Sequence, residues 1–178
     1  MKLLFLIRWV LPFLILLPSA VAEGKKFYPR ISWPRLQSFS ENFSFEGQIT
    51  GYLSLFYIEG FWYAYLYQSR EALKEHDETA FIKLESNQFG NVLGITEFSG
   101  NEELLKSLDQ RYVRIEGLFV TAEMTISEVP YLSKKIVSMR WRDKNGQWTS
   151  DRKKGLEEPA LKEGRLTAFP NATFFKDK

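Results

Sequence analysis

The stretch of sequence that decides the fold reads Arg111-Tyr112-Val113-Arg114-Ile115-Glu116-Gly117-Leu118-Phe119-Val120. Apolar and charged residues alternate along it, and the apolar residues that share one side are Val113, Ile115 and Phe119. Arg114 and Glu116 lie on the other side. A period of two residues is typical of a β-strand with one buried face. Gly117 interrupts the pattern at a place where a strand of a small closed sheet has to bend.

Similar strand-like runs occur before and after this stretch. The patterns predict five strands, at about 46–57, 61–68, 79–85, 111–120 and 132–142. A turn at Glu59-Gly60 joins the first two strands into a hairpin. In the fifth strand the alternation predicts that Val137, Met139 and Trp141 share one face, with Ile136 on the other.

Short helical segments are predicted between these strands. A turn of helix is expected at 34–39, and another begins at Ser69, which is a good capping residue. The sequence Ser99-Gly-Asn-Glu102 fits a capping box, and leucines at helical spacing follow it. We therefore expect one helix at about 101–108, between strands three and four. The segment 87–99 is rich in Gly and Asn and predicts an ordered loop or a minor strand.

The order of these elements is strand, strand, strand, helix, strand, strand. From about Glu46 to Arg142 the chain resembles the OB-fold superfamily, in which a five-stranded Greek-key barrel carries a helix between strands three and four. Two segments are similar to small exported bacterial OB-like proteins, namely Tyr65-Leu66-Tyr67-Gln68-Ser69 and residues 108–117. The resemblance implies a mainly β, OB-like barrel, but it implies no function, because one fold hosts many functions. A lipocalin-like barrel is the alternative, although fewer strands are visible than that fold needs.

The beginning of the chain has the composition of a cleaved export signal. Lys2 and Arg8 form a basic start, and an apolar run follows at 9–17. Ala20 and Ala22 place small residues at the two positions that signal peptidase reads, so we expect cleavage after Ala22. The apolar run is shorter than the roughly 20 residues of a spanning helix, which disfavours an uncleaved anchor. We therefore expect no stable membrane span after cleavage and a periplasmic or secreted location in a bacterium.

We divide the chain into a signal peptide (1–22), an aromatic-rich arm (23–45), an OB-like barrel domain (46–142) and a polar, flexible tail (143–178). The arm either binds a partner or covers apolar surface of the barrel. The sequence contains no cysteine, so the core alone must hold the exported domain together. Loss of the signal removes two basic residues and lowers the formal net charge from +2 to zero. Nucleic acid is disfavoured as a partner, because the barrel domain lacks a concentrated basic footprint.

The sequence favours no catalytic chemistry. His76 is the one histidine, whereas transition-metal sites usually draw several His or Cys ligands, so we expect no metal and no cofactor. A cysteine nucleophile is excluded, and no Gly-x-Ser-x-Gly elbow is present. The carboxylate pairs Glu102-Glu103 and Asp77-Glu78 have structural explanations at a helix start and in a loop. A carboxylate-dependent hydrolase is therefore the least favoured function, and we expect a protein that is not an enzyme.

The favoured binding surface is aromatic and lies on strand two. If Ala64 and Leu66 fill the barrel, the tyrosines of the opposite parity face outward, where they can stack on sugars or bases or grip a protein. Strand three can extend this ladder, so the predicted site residues are Tyr63, Tyr65, Tyr67 and Phe81. The alternative is that the arm or the 87–99 loop covers this face, since aromatic cross-strand pairs also stabilise a sheet without any ligand.

A second candidate surface combines basic and aromatic residues on and after strand five. Such residues can hold a single nucleic acid strand, an anionic glycan or a membrane surface, but they also occur on solvated strands that resist edge pairing. The set is Lys134, Lys135, Arg140, Trp141, Arg142 and Trp148, of which Lys134, Arg140 and Trp141 are the predicted site residues. We expect a non-enzymatic binding or assembly module of the cell envelope, with a protein or an oligosaccharide as its partner. A purely structural domain without a ligand face is the alternative.

Overall fold

The structure is a computed structural model that describes residues 26–38, 43–58, 61–77, 80–95, 100–121, 131–151 and 154. The predicted signal peptide, with Ala20 and Ala22, and the predicted tail after residue 151 lie outside these ranges, apart from residue 154. The mainly β fold is confirmed. The helices are α1 (Trp33–Gln37), α2 (Arg70–Glu75), α3 (Ser86–Leu93) and α4 (Glu102–Leu108). The strands are β1 (Ser44–Ile58), β2 (Phe61–Tyr67), β3 (Phe81–Leu84), β4 (Tyr112–Thr121), β5 (Tyr131–Arg142) and β6 (Trp148–Thr149).

The strands form one sheet that closes in a ring. Their order is β3-β2-β1-β4-β5-β6, and neighbours in this order are antiparallel. A short parallel pairing between β3 and β5 closes the ring, at Lys83 with Leu132 and at Leu84 with Ser133. The Ser133 hydroxyl strengthens this closure by accepting a hydrogen bond from the Glu85 amide at 3.1 Å. All five predicted strands are present.

The inside of the ring is filled by the apolar residues that the alternation predicts. Val113, Ile115 and Phe119 of β4 are fully buried, and Ala64 and Leu66 of β2 point into the same core. β1 and β3 contribute aliphatic residues, and α4 adds two leucines: Ile49, Leu53, Leu55, Ile82, Leu84, Leu105 and Leu108. The prediction that Ala64 and Leu66 fill the interior is therefore confirmed.

Two helices, rather than the one predicted, separate β3 and β4. The helix predicted at 101–108 is α4, but α3 occupies most of the segment for which a loop or a minor strand was predicted. Phe89 and Leu93, one helical turn apart, are buried against the core. Their burial stabilises a helix that Gly and Asn disfavour by propensity. Gly94, at φ 66°, ends it in the left-handed conformation typical of a helix C-terminus.

A β-bulge changes which residues of β5 face the core. Glu116 pairs with Ser138 but Gly117 pairs with Ile136, so Val137 is an extra residue without a partner. Val137 is consequently 44% exposed, whereas Ile136 is buried together with Met139 and Trp141. The predicted shared face is confirmed for Met139 and Trp141, but the prediction is wrong for Ile136 and Val137, because a bulge reverses the alternation there. The bulge lies opposite Gly117, and a Cβ at that position would lie 2.0 Å from the Lys135 carbonyl oxygen.

The predicted tail is wrong for residues 143–151, which form an ordered hairpin with β6. The Asp143 carboxylate is buried and accepts hydrogen bonds from the Asn145 and Gln147 amides, both at 2.9 Å. Gly146 takes φ 74°, which a side chain would disfavour. The hairpin places β6 beside β5, with Trp148 opposite Arg142.

Part of the N-terminal arm covers an open edge of the sheet. The first half of β1 pairs with β4 on one side, and on its other side Gln48 exchanges backbone hydrogen bonds with the arm. The Gln48 amide donates to the Pro29 carbonyl at 2.9 Å, and the Ile31 amide donates to the Gln48 carbonyl at 3.0 Å. The Trp33 indole donates to the Thr50 carbonyl at 2.8 Å and is itself buried. Over these residues the arm acts as a cover.

We expect Gly117→Ala to destabilise the protein by about 1–3 kcal/mol, because the new methyl group meets backbone that cannot rotate away. Urea unfolding followed by circular dichroism measures the change. Val137→Ala, on the exposed side of the same bulge, is the matched control and should change stability by no more than about 0.5 kcal/mol. Equal effects of the two substitutions would contradict the bulge.

Asp143→Ala should lower the free energy of unfolding by about 1–3 kcal/mol, since two amides of the turn lose their acceptor. The same denaturation measurement applies. Lys144→Ala, at the neighbouring exposed position, serves as the control and should have an effect within about 0.5 kcal/mol. If Asp143→Ala leaves the free energy of unfolding unchanged, residues 143–151 behave as a flexible tail and not as a hairpin.

Candidate functional site

The predicted tyrosine ladder lies beneath α2. Tyr65 and Tyr67 are only 6% and 1% exposed, Phe81 is also buried, and Tyr63 is half-buried. The Tyr65 and Phe81 rings stack with their centroids 4.5 Å apart. Phe56, Ala72, Leu73 and Ala80 complete this second apolar cluster. The ladder therefore lacks the exposed face that a ligand would need at Tyr65 and Tyr67, and a binding role for these residues stays a prediction.

Local interactions at both ends of α2 hold this helix over the ladder. The Ser69 hydroxyl accepts a hydrogen bond from the Ala72 amide at 3.1 Å, which caps the start of the helix. His76 ends it at φ 52°, where its ring Nδ1 contacts the Tyr67 hydroxyl and its face stacks on Phe81. The His76 ring is therefore half-buried and packs on the aromatic cluster.

The predicted site residues of β5 do not come together. Trp141 is buried in the core, where it stands opposite Val113 of β4. Lys134 is exposed at a second register shift, near the start of the strand. Arg140 alone of the three lies on the outer face of the sheet, opposite Arg114 of β4.

Arg140 belongs to a surface that we call the arginine–aromatic face. It covers the outer side of β1, β4, β5 and β6, where the residues alternate with those of the core. Register places Thr50 opposite Arg114, and Tyr52 opposite Tyr112. The arm adds one further arginine next to Gln48. The residues of the face are Arg30, Tyr52, Tyr112, Arg114, Arg140, Arg142 and Trp148.

Aromatic rings hold two of the four guanidinium groups of this face. The Arg114 Cζ atom lies 4.2 Å from the centroid of the Trp148 ring. The Arg142 Cζ atom lies 5.3 Å from the ring centroids of both Trp148 and Tyr112. Tyr112 in turn packs against Tyr52, with ring centroids 4.9 Å apart. Such cation–π contacts fix planar guanidinium groups in position and leave their outer edges free to donate hydrogen bonds.

The charges of the face are not neutralised by carboxylates of the described residues. None of its four arginines forms an ion pair with an acidic side chain in the described ranges. Burial, together with the positive charges of Arg140 and Arg30, holds the pKa of Arg114 below its ordinary value, and Glu116 offsets this only in part. The Glu116 carboxylate is itself engaged, because it accepts a hydrogen bond from the Ser138 hydroxyl at 2.6 Å. The face is therefore a concentrated positive surface.

Two grooves open beside Tyr112. The first, which we call the α2 groove, has a volume of about 520 Å³ and is lined by residues that include Tyr52, Arg70 and Arg142. The second, the arm groove, has a volume of about 510 Å³ and includes Arg30, Arg35 and Thr50. Gln68 and Tyr112 line both grooves, so the two adjoin each other.

Sequence reasoning identified only part of this surface. Arg140 was a predicted site residue, and Arg142 and Trp148 were noted beside it. Arg114 was assigned to an outward face without a function, and Arg30 was not singled out. The alternation of β4 was the available signal for Arg114. It does not reveal which strand lies next to β4 or which residue stands opposite.

Tyr65→Ala should lower the free energy of unfolding by about 3–5 kcal/mol, because it leaves a cavity in the cluster under α2. Thermal and urea unfolding measure the loss. The half-buried Tyr63→Ala provides a comparison and should cost less than half as much. A stable Tyr65→Ala protein that has lost a binding partner would contradict the structural role and restore the ladder as a binding site.

Three further findings bear on the function. Among the residues that the structure describes, no group of three or more His, Cys, Asp and Glu side chains is placed to hold a metal ion. Within the same ranges, no helix has the length and apolar character needed to cross a membrane. No protein-family model matches the chain, and neither a curated protein nor a solved structure matches it. Function is therefore inferred from the geometry of the site.

Proposed function

We propose that the protein is an exported, non-enzymatic binding or assembly module of the cell envelope, which recognises an anionic partner on the arginine–aromatic face. The partner is a protein or an oligosaccharide that carries negative groups. One observation carries this proposal: four arginines share one face, two of them, Arg114 and Arg142, lie over aromatic rings, and no carboxylate of the described residues is paired to any of the four.

The physical reason is that an isolated cluster of like charges is unfavourable. Arg114 and Arg140 face each other across adjacent strands, and the lowered pKa of Arg114 reflects its burial and this repulsion. An anion that binds between them removes the repulsion, and guanidinium groups donate paired hydrogen bonds to carboxylates or phosphates. Because Trp148 and Tyr112 already hold the guanidinium groups of Arg114 and Arg142, these two side chains lose little entropy on binding.

The topology supports an OB-like barrel as the scaffold of this module. Following the pairings from β1 leads through β2, β3, β5 and β4 and back to β1, with helices between β3 and β4. We propose that this is the Greek-key arrangement of an OB-like barrel, to which β6 has been added. The common ligand face of such barrels spans strands two and three, which α2 occupies in this protein. The arginine–aromatic face is therefore a different surface.

The proposal of export rests on the sequence at 1–22. The basic start, the apolar run and the small residues at Ala20 and Ala22 support a cleaved signal. A periplasmic or secreted location in a bacterium suits a cysteine-free domain that is held together by its core alone.

A second candidate function is a structural or interaction domain with no ligand face. The burial of Tyr65 and Tyr67 favours it, because the surface that most resembled a binding site supports α2 instead. Under this alternative the arginines are a solvated surface, and they bind anions no better than scattered lysines do.

The double variant Arg114→Gln/Arg140→Gln should bind sulfated dextran about 10–100-fold more weakly than the unaltered protein does, since two clustered charges are lost. The slope of log K against log salt concentration should fall by about two. Fluorescence anisotropy with labelled dextran sulfate, repeated at several salt concentrations, measures both quantities.

The matched control is Lys106→Gln/Lys154→Gln, which removes two exposed charges outside the arginine–aromatic face. It should change affinity by no more than about twofold, as expected for distant surface charges that salt screens. Equal losses in the two double variants would show that only net charge matters. That outcome would contradict the proposed site and favour the structural alternative.

A further inference from the structure

We infer that the anionic partner is an acidic oligosaccharide, a chain of sugar rings with carboxylate groups, which crosses the α2 groove and the arm groove with one ring at Tyr112. This inference rests on the proposed function and narrows its ligand class. It depends on the shape of the two grooves, on the charges in each, and on the neutral groups between the charges.

The shape favours a chain of compact units over a flat partner surface. Each groove has a volume within the range of roughly 300–1,000 Å³ that is typical of small-molecule sites. Gln68 and Tyr112 belong to both grooves, so a ligand can continue from one into the other. A sugar ring has apolar and polar sides, and its CH groups can pack against the part of the Tyr112 side chain that lines both grooves.

Each groove also contains two arginines. Arg70 and Arg142 line the α2 groove, and Arg30 and Arg35 line the arm groove. The Arg70 Nε atom donates to the Tyr52 hydroxyl at 3.3 Å, and its guanidinium lies over that ring. A ligand whose carboxylates are separated by neutral rings can place one negative group in each groove, where a guanidinium can bind it in a bidentate manner.

Polar, uncharged side chains that can hydrogen-bond to sugar hydroxyls lie beside the arginines. Ser32, Thr50, Gln68 and Ser69 line the grooves, and sugar hydroxyls can donate to or accept from such side chains. Glu71 lines the α2 groove, and hydrogen bonds from its own amide and from Ser69 lower its pKa, so it is ionised at neutral pH. An ionised carboxylate repels a dense phosphate or sulfate polymer but accepts a hydrogen bond from a sugar hydroxyl. A ligand that carries both acid groups and hydroxyls therefore fits the grooves better than a ligand that carries acid groups alone.

The same geometry disfavours a nucleic acid strand. Proteins that bind single strands offer successive aromatic rings with open faces, on which the bases stack. In this protein Arg114 and Arg142 lie over the Trp148 ring, Arg142 also lies over the Tyr112 ring, and Arg70 lies over the Tyr52 ring. The rings thus serve mainly to hold guanidinium groups, and Tyr112, which lines both grooves, is a single contact for one sugar ring and not a row of open faces for successive bases.

The test is isothermal titration calorimetry of the full protein with four probes: an oligogalacturonate, its methyl-esterified form, inorganic polyphosphate, and a single-stranded oligonucleotide. The oligogalacturonate should bind most tightly. Its neutral ester should bind at least about tenfold more weakly, because the arginines lose their charged partners. Polyphosphate and the oligonucleotide, compared at equal charge, should bind several-fold more weakly than the oligogalacturonate.

Substitutions at and beside Tyr112 separate the sugar ring from the charge. Tyr112→Leu should weaken oligogalacturonate binding about tenfold, equivalent to about 1.4 kcal/mol, and leave polyphosphate binding within about twofold. Tyr112→Phe keeps the ring and should retain oligogalacturonate binding. Arg35 and Arg70 are exposed, so Arg35→Gln and Arg70→Gln should fold normally. Each removes one charge from a groove and should weaken oligogalacturonate binding several-fold, whereas the control Lys106→Gln should not.

The possible outcomes distinguish this inference from the proposed function. If polyphosphate or the oligonucleotide binds as tightly as the oligogalacturonate, or if Tyr112→Leu affects polyphosphate and oligogalacturonate equally, the sugar inference is overturned and the anionic-partner proposal stands. If none of the charged probes binds the unaltered protein, both are overturned. Loss of oligogalacturonate binding in Tyr112→Leu, Arg35→Gln and Arg70→Gln, with polyphosphate binding retained in Tyr112→Leu, supports both.

Discussion

One strand, β1, belongs to two pairings, and the rest of the structure depends on where it changes partner. Its first half pairs with β4 and its second half with β2, and Tyr52 is the residue that faces both. Gly51 makes the change possible, because a Cβ there would lie 2.4 Å from the Tyr67 carbonyl oxygen. Beyond this point β1 no longer pairs with β4. The buried Asp109 carboxylate accepts a hydrogen bond from the Leu55 amide at 2.8 Å, so the segment after α4 provides the hydrogen-bond partner that β4 no longer provides.

This change of partner also divides the outer surface in two. On the β2 side the outward residues form the aromatic cluster under α2, and on the β4 side they form the arginine–aromatic face. Tyr52 touches both, since it is opposite Tyr67 on one side and packs on Tyr112 on the other. A single sheet thus presents one covered aromatic surface and one charged surface whose rings hold arginines.

The sequence predicted those features that a local pattern encodes. Alternation identified β4 and its buried Val113, Ile115 and Phe119, and a capping box identified α4. It did not identify α3, because the burial of Phe89 and Leu93 that stabilises this helix depends on distant strands. It also misassigned Val137, because a bulge arises from how two strands fit and not from either one alone.

The candidate site was less predictable than the fold, for a related reason. The arginine–aromatic face draws its residues from the arm and from β1, β4, β5 and β6, and only register brings them together. The tyrosines of β2 were the more obvious pattern, yet nothing in their spacing shows that a helix six residues long, α2, would fold back over them. Trp141 was predicted as a surface residue, but it stands opposite the buried Val113 of β4, which only the register shows.

The arm gives the molecule a thermodynamic link between its own docking and its ligand. Residues 29–31 are held to β1 by two backbone hydrogen bonds, and the arm contributes Arg30 and Arg35 to a groove whose other wall belongs to the sheet. A ligand that contacts both walls binds the docked arm better than the undocked one, so ligand and arm stabilise each other by the same free energy. A peptide that competed with the arm for this edge of β1 would displace Arg30 and Arg35 from the groove. It would thereby lower the affinity for the ligand without contacting the ligand itself.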